Sequence, residues 1–321
     1  MNSKSNNLNR FYSNGKLLLT GEYVVLDGAT SLAVPTKFGQ DLTIESIQEP
    51  ELIWGSFTNT GECWFEAVFD VPKLRLKNAT FNSSKEGNAE FIAETLQNIL
   101  NAARKLNPDF LQTESGFIIK TNLTFPQNWG LGSSSTLINN IASLAKVDAY
   151  KLLWNAFSGS GYDIACAQHN SPIFYQLENQ HPIVKQVDFN PSFKNELFFV
   201  HLNMKQNSRE GIQRYKGYQS KKNNDYARED INEISNLSNE FVKATSLKEL
   251  EKIILEHEKI IASIIQLQPV KKELFPDYFG IVKSLGAWGG DFVLVTGNKD
   301  TPSYFKQKGF ETVLSFSDMI L

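Results

Sequence analysis

The chain has 321 residues, enough for one large domain or two ordinary ones, and its formal net charge is −3. This nearly balanced charge gives no reason to expect nucleic acid or an acidic membrane as a partner, and no apolar run approaches the roughly 20 residues that span a bilayer. The polar start, Met1–Arg10, predicts no secretory signal. The isolated Cys63 and Cys166 predict reduced thiols in a cytoplasmic protein, and the singly scattered histidines predict no zinc site.

The first part of the chain predicts strands. Short apolar runs cover Lys16–Leu19 and Tyr23–Leu26, and the turn signal Asp27-Gly28 follows them. Alternating apolar residues continue the strand character from Asp41 to Phe69. The polar segment Lys73–Asn88 predicts a loop.

Helices and strands alternate in the rest of the chain. Apolar residues recur at helical spacing from Ile92 to Leu106, and Asn107-Pro108-Asp109 ends that helix. The segment Phe117–Thr124 alternates as a half-buried strand should. Further on, Ser246 and Glu249 form a capping box before a long helix, and the pattern also predicts a helix over Asp277–Leu285. This interleaving favours an α+β fold with two lobes.

The most informative stretch is Pro126–Thr136, a glycine- and serine-rich loop between a predicted strand and a predicted helix. Glycine lets the backbone approach an anion closely, and the first N–H groups of the following helix have no internal partner. The loop is neither a Walker A sequence nor a Rossmann fingerprint, and a flexible serine-rich turn is the alternative interpretation. We interpret it as a phosphate-binding loop whose central residues are Gly130, Leu131, Gly132, Ser133, Ser134 and Ser135.

Three other segments matter beside this loop. They are Ser13–Tyr23, Ser158–Ala165, which contains Gly161-Tyr162-Asp163-Ile164-Ala165, and Lys283–Asp291. Together with the loop, and in this order and spacing, they resemble the GHMP kinase superfamily. The resemblance spans the chain, and Gly161–Ala165 looks like the motif of a bacterial subgroup of these kinases.

The resemblance implies a fold and an activity. The fold is an N-terminal lobe like ribosomal protein S5 domain 2, here the ATP-binding lobe over residues 1–190, and a ferredoxin-like C-terminal lobe over residues 191–321. The activity is ATP-dependent phosphoryl transfer to an oxygen of a small molecule, with ATP and Mg²⁺ as cofactors. The motif segments are then expected to converge on one cleft.

The resemblance also implies roles for individual residues. Asp163 matches the catalytic carboxylate that orients or deprotonates the acceptor oxygen. Lys16 matches a lysine near the transferred phosphoryl group, where an ammonium offsets transition-state charge. Ser134 matches a magnesium ligand. On the acceptor side the expected residues are Glu22, Gly286, Ala287, Gly289, Gly290 and Asp291.

The chain departs from the family pattern in several places. Ser13-Asn14 replaces a common Ala-Pro, and Trp288 stands where most relatives carry glycine. The segment Leu137–Tyr162 contains no glutamate, although mevalonate kinases supply a magnesium-binding glutamate there. That absence and Gly289-Gly290-Asp291 look more like phosphomevalonate kinase. A phosphorylated acceptor needs extra cations, for which the candidates are Lys37, Lys205, Arg209 and Lys283.

Several functions stay open on this pattern. We expect a kinase that acts on phosphomevalonate or mevalonate, in isoprenoid biosynthesis. The alternatives are a sugar or homoserine kinase, a diphosphomevalonate decarboxylase, and a non-catalytic nucleotide or metabolite sensor on the same scaffold. The expected partner is a small molecule, and the oligomeric state stays open, a homodimer included.

Overall fold

The computed structural model describes residues 9–82, 88–204, 208–219 and 224–321. The chain divides into two units, each made of several segments. The first contains Met1–Gly15, Phe38–Gln127 and Gly132–Gln168, and the second contains Lys16–Lys37, Asn128–Leu131 and His169–Leu321. The lobe boundary expected near residue 190 remains a prediction.

The first unit is built on a mixed sheet. Its strands are β1 (Asn9–Leu18), β2 (Ser31–Ile47), β3 (Glu51–Phe57), β4 (Cys63–Asp70), β5 (Leu76–Phe81) and β6 (Gly116–Leu123), with β1 and β2 each running on into residues of the second unit. The order is β5-β4-β3-β6-β2, and β1 pairs with β2. Strand β6 runs antiparallel to β2, with Leu42 opposite Thr121, and parallel to β3. The alternation predicted for β6 is confirmed, because Ile119 and Leu123 are buried while Lys120 is exposed.

Helices cover the apolar side of this sheet. They are α1 (Ala89–Leu106), α2 (Ser133–Ala145), α3 (Ala149–Ala156) and α4 (Tyr162–Gln168). Helix α1 begins where Asn88 accepts a hydrogen bond from the N–H of Phe91, and its predicted apolar face is confirmed by the buried Leu96, Ile99 and Ala103. These side chains join the strand residues in one apolar core, and α2 packs against α3 and α4.

The second unit contains the first half of β2, which pairs with β7 of the hairpin β7 (Ile173–Glu178) and β8 (His181–Gln186). It also contains a separate antiparallel sheet of β9 (Leu197–His201), β10 (Val282–Ser284), β11 (Phe292–Thr296) and β12 (Val313–Ser315). Its helices are α5 (Ser208–Gln219), α6 (Asn224–Lys243), α7 (Leu247–Ile265), α8 (Val270–Leu274), α9 (Thr301–Gln307) and α10 (Phe316–Met319).

The separate sheet has the order β10-β11-β9-β12. Along the chain it follows the pattern strand, helices, two strands, helix, strand, which is the ferredoxin-like arrangement. The cap predicted for α7 is confirmed, since Ser246 accepts from the N–H of Glu249, and the Glu249 carboxylate accepts from the N–H of Thr245, the residue before the cap. The α+β class is therefore confirmed.

Three local predictions were wrong. Residues 24–27 form a 3-10 turn instead of a strand, because Tyr23 and Gly28 adopt left-handed φ angles of 68° and 87° and reverse the chain. The predicted helix over 277–285 is a turn followed by β10, since Gly280 packs directly on the carbonyl of Thr296 and the backbone of 282–284 pairs with β11. The polar segment predicted as a loop contains β5, a half-exposed strand that pairs with β4.

Within the described residues, none of the helices combines the length and the hydrophobicity that crossing a membrane requires.

Candidate active site

The glycine–serine loop reaches helix α2 through a left-handed residue. Gly132 is the N-cap of α2, with φ 90° and ψ 40°, a conformation that residues with a side chain rarely adopt. Glycine also has no side chain that could cap the helix. The first N–H groups of α2 and the positive end of its dipole are therefore left for an anion.

The hydroxyl groups that follow Gly132 divide into two kinds. Ser134 is exposed and Ser133 is half-buried. Ser135 is buried and donates to the carbonyl of Gly132 at 2.8 Å, while Thr136 donates to the Gln40 side chain at 2.8 Å. Ser135 and Thr136 thus hold the turn in shape, and Ser134 presents its hydroxyl to solvent at the helix start.

Residues 128–131 belong to the second unit, where Lys16 contacts them twice. Its ammonium donates to the carbonyl of Gly130 at 3.0 Å, and its backbone N–H donates to the carbonyl of Leu131 at 3.0 Å. Gly130 has φ 66°, and a Cβ atom on it would overlap the carboxylate of Asp291. The structure therefore brings together Lys16, Gly130, Leu131 and Asp291, four of the predicted site residues.

His201 and Trp129 also hold this loop, and the sequence did not single them out for that role. His201 is buried and its Nε2 lies 3.1 Å from the carbonyl of Asn128, to which it can donate. The ring of Trp129 packs edge-on against Phe292 at 5.5 Å between centroids. A lone histidine in β9 has no sequence signature for such a contact, because its partner is 73 residues away along the chain.

Asp163 lies in the first turn of α4, in the first unit. It is half-buried, and its Oδ1 accepts from the N–H of Ile164 at 3.1 Å. Burial raises the pKa of the neighbouring Tyr150, and Coulombic repulsion from Cys166, Asp148 and Asp163 in their ionised forms adds to that effect. Since α4 packs on α2, the first unit brings the helix that carries Asp163 against the helix that begins at Ser133.

A chain of neutral polar groups, which we call the amide cluster, joins these helices to β1. Asn139 donates to Ser13 at 2.9 Å, Ser13 donates to Asn140 at 2.7 Å, and Gln168 donates to Asn139 at 3.0 Å. Ser13 is fully buried. The replacement of Ala-Pro by Ser13-Asn14 therefore has a structural use, because the Ser13 hydroxyl supplies a bond to each of two amides of α2.

Glu22 lies in the second unit and is fully buried. Its Oε1 accepts from the ammonium of Lys283 at 2.7 Å. The two side chains neutralise one another inside the protein, so Lys283 is already engaged by a carboxylate. Of the other cations considered for a phosphorylated acceptor, Lys37 is exposed beside a different cavity, and Lys205 and the Arg209 side chain lie outside the described residues.

The segment 286–291 contributes to a cavity of about 250 Å³ in the second unit. Ala287, Trp288 and Gly289 line it together with Tyr23 and Arg214. The backbone N–H of Trp288 donates to the Tyr23 hydroxyl at 3.2 Å, and the indole side chain is buried. Gly286 and Gly289 have φ angles of 60° and 85°, Gly290 is buried, and the backbone of Asp291 pairs with Leu202 and Met204.

Wherever side chains are described, no group of three or more His, Cys, Asp or Glu residues is arranged to hold a metal ion. Magnesium is commonly held by one or two protein oxygens and the phosphates of its substrate. The exposed hydroxyl of Ser134, at a helix start suited to phosphates, fits such a donor set.

Known proteins resemble this chain in structure far more than in sequence. No protein-family model matches it, and no curated protein sequence matches it. The crystal structure of L. major mevalonate kinase in complex with R-mevalonate matches with a TM-score of 0.66 and 14% identity, over 98% of this chain and 97% of that one. Streptococcus pneumoniae phosphomevalonate kinase in complex with phosphomevalonate and AMPPNP matches with a TM-score of 0.64 and 15% identity, over 98% of both chains.

A third solved structure carries a different acceptor. Lactococcus lactis galactokinase complexed with galactose matches with a TM-score of 0.60 and 12% identity, over 96% of this chain and 93% of that one. All three matched proteins are small-molecule kinases of the GHMP superfamily. The chain has the GHMP kinase fold, which confirms the resemblance that the four motif segments predicted.

Proposed function

We propose that this protein is an ATP-dependent kinase that transfers the γ-phosphoryl group of ATP to a small-molecule acceptor, phosphomevalonate or mevalonate. One observation carries the proposal: the glycine–serine loop ends in a left-handed Gly132 at a helix start, and Lys16 is bonded to the same loop at Gly130. Backbone N–H groups and an ammonium are the groups that phosphoryl transfer requires around a nucleotide.

Asp163 and Lys16 carry the chemistry in this proposal. The Asp163 carboxylate accepts a hydrogen bond from the acceptor hydroxyl, or takes the proton of an acceptor oxygen, and thereby orients that oxygen. The Lys16 ammonium offsets the charge that develops on the transferred group. Gly130, Leu131, Gly132 and Ser133–Ser135 hold the nucleotide phosphates.

Mg²⁺ supplies charge neutralisation on the phosphates when it is bound. We propose Ser134 as its protein ligand, because this hydroxyl is exposed at the start of α2. We further propose that the protein is cytoplasmic and binds neither nucleic acid nor a membrane. The proposal leaves the oligomeric state, a homodimer included, open.

The acceptor is the finer part of the proposal. On the acceptor side we place Ala287, Gly289 and Trp288, which line the cavity of about 250 Å³, with Glu22, Gly286, Gly290 and Asp291 supporting that segment. Arg214 is a cation on this cavity, and Glu210 and Glu273 line it too, so the described part of its lining carries charges of both signs.

The test is an assay of ADP release with mevalonate, 5-phosphomevalonate, homoserine and galactose as separate acceptors. We expect turnover with one of the two mevalonate compounds. Turnover with galactose or homoserine alone would replace the acceptor and keep the kinase. Carbon dioxide release from diphosphomevalonate would indicate the decarboxylase, and ATP binding without any turnover would indicate a sensor.

Asp163→Asn tests the role of the carboxylate. We expect kcat to fall by about 10²–10⁴-fold, the usual contribution of a positioned acid or base, with ATP binding unchanged. Asp148→Asn is the matched control, since Asp148 is an exposed helix cap on Lys151 and an asparagine keeps that bond. Equal activity of the Asp163→Asn variant and the wild type would remove Asp163 from the proposed chemistry.

A further inference from the structure

Four ionisable side chains, which we call the ion cluster, are buried together in the second unit. They are Glu22, His257, Glu258 and Lys283, and none is more than 3% exposed. They come from three separate segments: the loop after β1, helix α7 and strand β10. Burying charges is costly unless they are paired, so a cluster of this kind calls for a physical explanation.

The cluster has one lysine for two carboxylates. The Lys283 ammonium lies 2.7 Å from Glu22 and 3.8 Å from Glu258. Burial, opposed by Lys283 and supported by the Glu22 charge, raises the pKa of Glu258 to about 8. Burial likewise raises the pKa of Glu22 against the opposing effect of Lys283. Near neutral pH, Glu258 therefore retains its proton and the cluster needs no second cation.

His257 serves this cluster as a hydrogen-bond acceptor. The N–H of Gly21 donates to its Nε2 at 3.0 Å, so that nitrogen carries no proton. The same Nε2 lies 3.3 Å from Glu22, but a nitrogen that accepts from Gly21 cannot also donate to Glu22. Burial, reinforced by the Lys283 charge, holds the pKa of His257 well below its usual value. The ring is accordingly neutral, with its proton on Nδ1.

The contacts of α7 hold two of the motif segments in place. Through His257 the helix holds Gly21, whose φ of 89° and contact with Ser31 leave no room for a side chain. Through Glu258 it accepts from the backbone N–H and the hydroxyl of Ser284, each at 3.2 Å. These two segments are also bonded to each other. The Tyr23 hydroxyl, two residues after Gly21, accepts from the backbone N–H of Trp288, four residues after Ser284.

We propose that His257 and Glu258 are positioning residues, which hold the Gly21–Tyr23 loop and the Ser284–Gly289 segment in the geometry that shapes the acceptor cavity. Tyr23, Ala287, Trp288 and Gly289 line that cavity. The kinetic part of this inference rests on the proposed kinase function. The structural part, the bond from Gly21 to a neutral His257, stands without it.

The test compares His257→Leu with His257→Gln. Leucine fills the space but offers no acceptor, whereas the glutamine side-chain oxygen can take the place of Nε2. We expect faster hydrogen exchange at the Gly21 amide in the leucine variant and a KM for the acceptor, mevalonate or 5-phosphomevalonate, that is about tenfold higher, with the KM for ATP unchanged. The glutamine variant should restore both properties.

Several outcomes would overturn the inference. They are an unchanged Gly21 exchange rate in the leucine variant, equal changes in the KM of ATP and acceptor, and no recovery in a folded glutamine variant. If the wild type turns over neither acceptor, the proposed function fails, and Gly21 exchange alone decides whether His257 positions the loop. If the leucine variant does not fold, ¹⁵N NMR of the wild type decides: a ring protonated at Nε2 between pH 7 and 8 would refute the assignment.

Discussion

The amide cluster of the first unit and the ion cluster of the second both link separate segments of the chain, but they use different kinds of polar group. Ser13, Asn139, Asn140 and Gln168 join β1 to α2 and α4 through neutral hydrogen bonds. Glu22, His257, Glu258 and Lys283 join two motif segments to α7 through groups that can gain or lose protons. Each cluster reaches a motif that the sequence singled out.

This difference predicts that pH affects stability differently in the two units. Amides and hydroxyls do not titrate in the physiological range, so the amide cluster contributes the same free energy at every working pH. The ion cluster binds a proton more tightly when folded than when unfolded, at least at Glu258. Stability and geometry around the acceptor cavity should therefore depend on pH, and those around α2 should not.

The largest effect is expected from Lys283→Met. This change leaves two buried carboxylates without their cation, and we expect a loss of about 3–5 kcal/mol in the free energy of unfolding at pH 9, with a smaller loss at pH 6 where both can be protonated. Lys259→Met is the control, because Lys259 is exposed and pairs with Glu256 on the surface of α7. Denaturant unfolding measures both, and equal losses in the two variants would contradict the comparison.

A smaller effect is expected from Ser13→Ala in the amide cluster. The change strands a buried amide donor on Asn139 and a buried acceptor on Asn140, which costs about 1–3 kcal/mol in the free energy of unfolding. Unlike the loss in the Lys283→Met variant, this loss should be the same at pH 6 and pH 9. Denaturant unfolding at both values checks it, and a marked pH dependence would show that the amide cluster is not independent of titrating groups.

The smallest effect is expected from Glu258→Gln. The pKa of Glu258 is raised to about 8 in the folded protein, so the stabilisation from its bound proton is fully present below the unfolded value and is lost as pH rises through 8. Between pH 7 and pH 9 this loss in the wild type is about 1 kcal/mol. Glutamine binds no proton in this range, so the free energy of unfolding of the Glu258→Gln variant should not fall by this amount between pH 7 and pH 9.

Measurements between pH 7 and 9 also distinguish the contribution of Glu258 to the pH dependence of stability from that of His257. The lowered pKa of His257 affects stability only as pH falls below the ordinary value of a histidine, with the opposite sign. Parallel stability curves for the wild type and Glu258→Gln above pH 7 would show that Glu258 is already ionised in the folded protein. The explanation that Glu258 stays protonated near neutral pH, and therefore needs no cation of its own, would then fail.

The sequence predicted most of the regular structure where periodicity was long. The apolar face of α1, the alternation of β6 and the cap of α7 follow from local patterns, because 3.6- and two-residue periods need only neighbouring residues to appear. Local patterns failed at residues 24–27 and 277–285. In both places positive φ angles or close backbone packing, which depend on distant partners such as Thr296, decided the conformation.

The candidate site shows the same division. The glycine–serine loop was singled out because glycine and hydroxyl residues before a helix suit a phosphate, and Asp163 and Lys16 were singled out by the resemblance to GHMP kinases. His201, Trp129 and His257 carried no such signal. Their roles arise from contacts with residues far away along the chain, and an isolated histidine in a sequence is compatible with many environments.

The amino-acid sequence by itself determined the α+β class, the glycine–serine loop before α2 and the resemblance to GHMP kinases, since these depend on residue order within the motif segments. Only the tertiary structure decided which charges are buried together, that Lys283 is neutralised by Glu22, and that His257 accepts from Gly21. The physical reason is that protonation and pairing depend on burial and on distances between segments, and both exist only once the chain has folded.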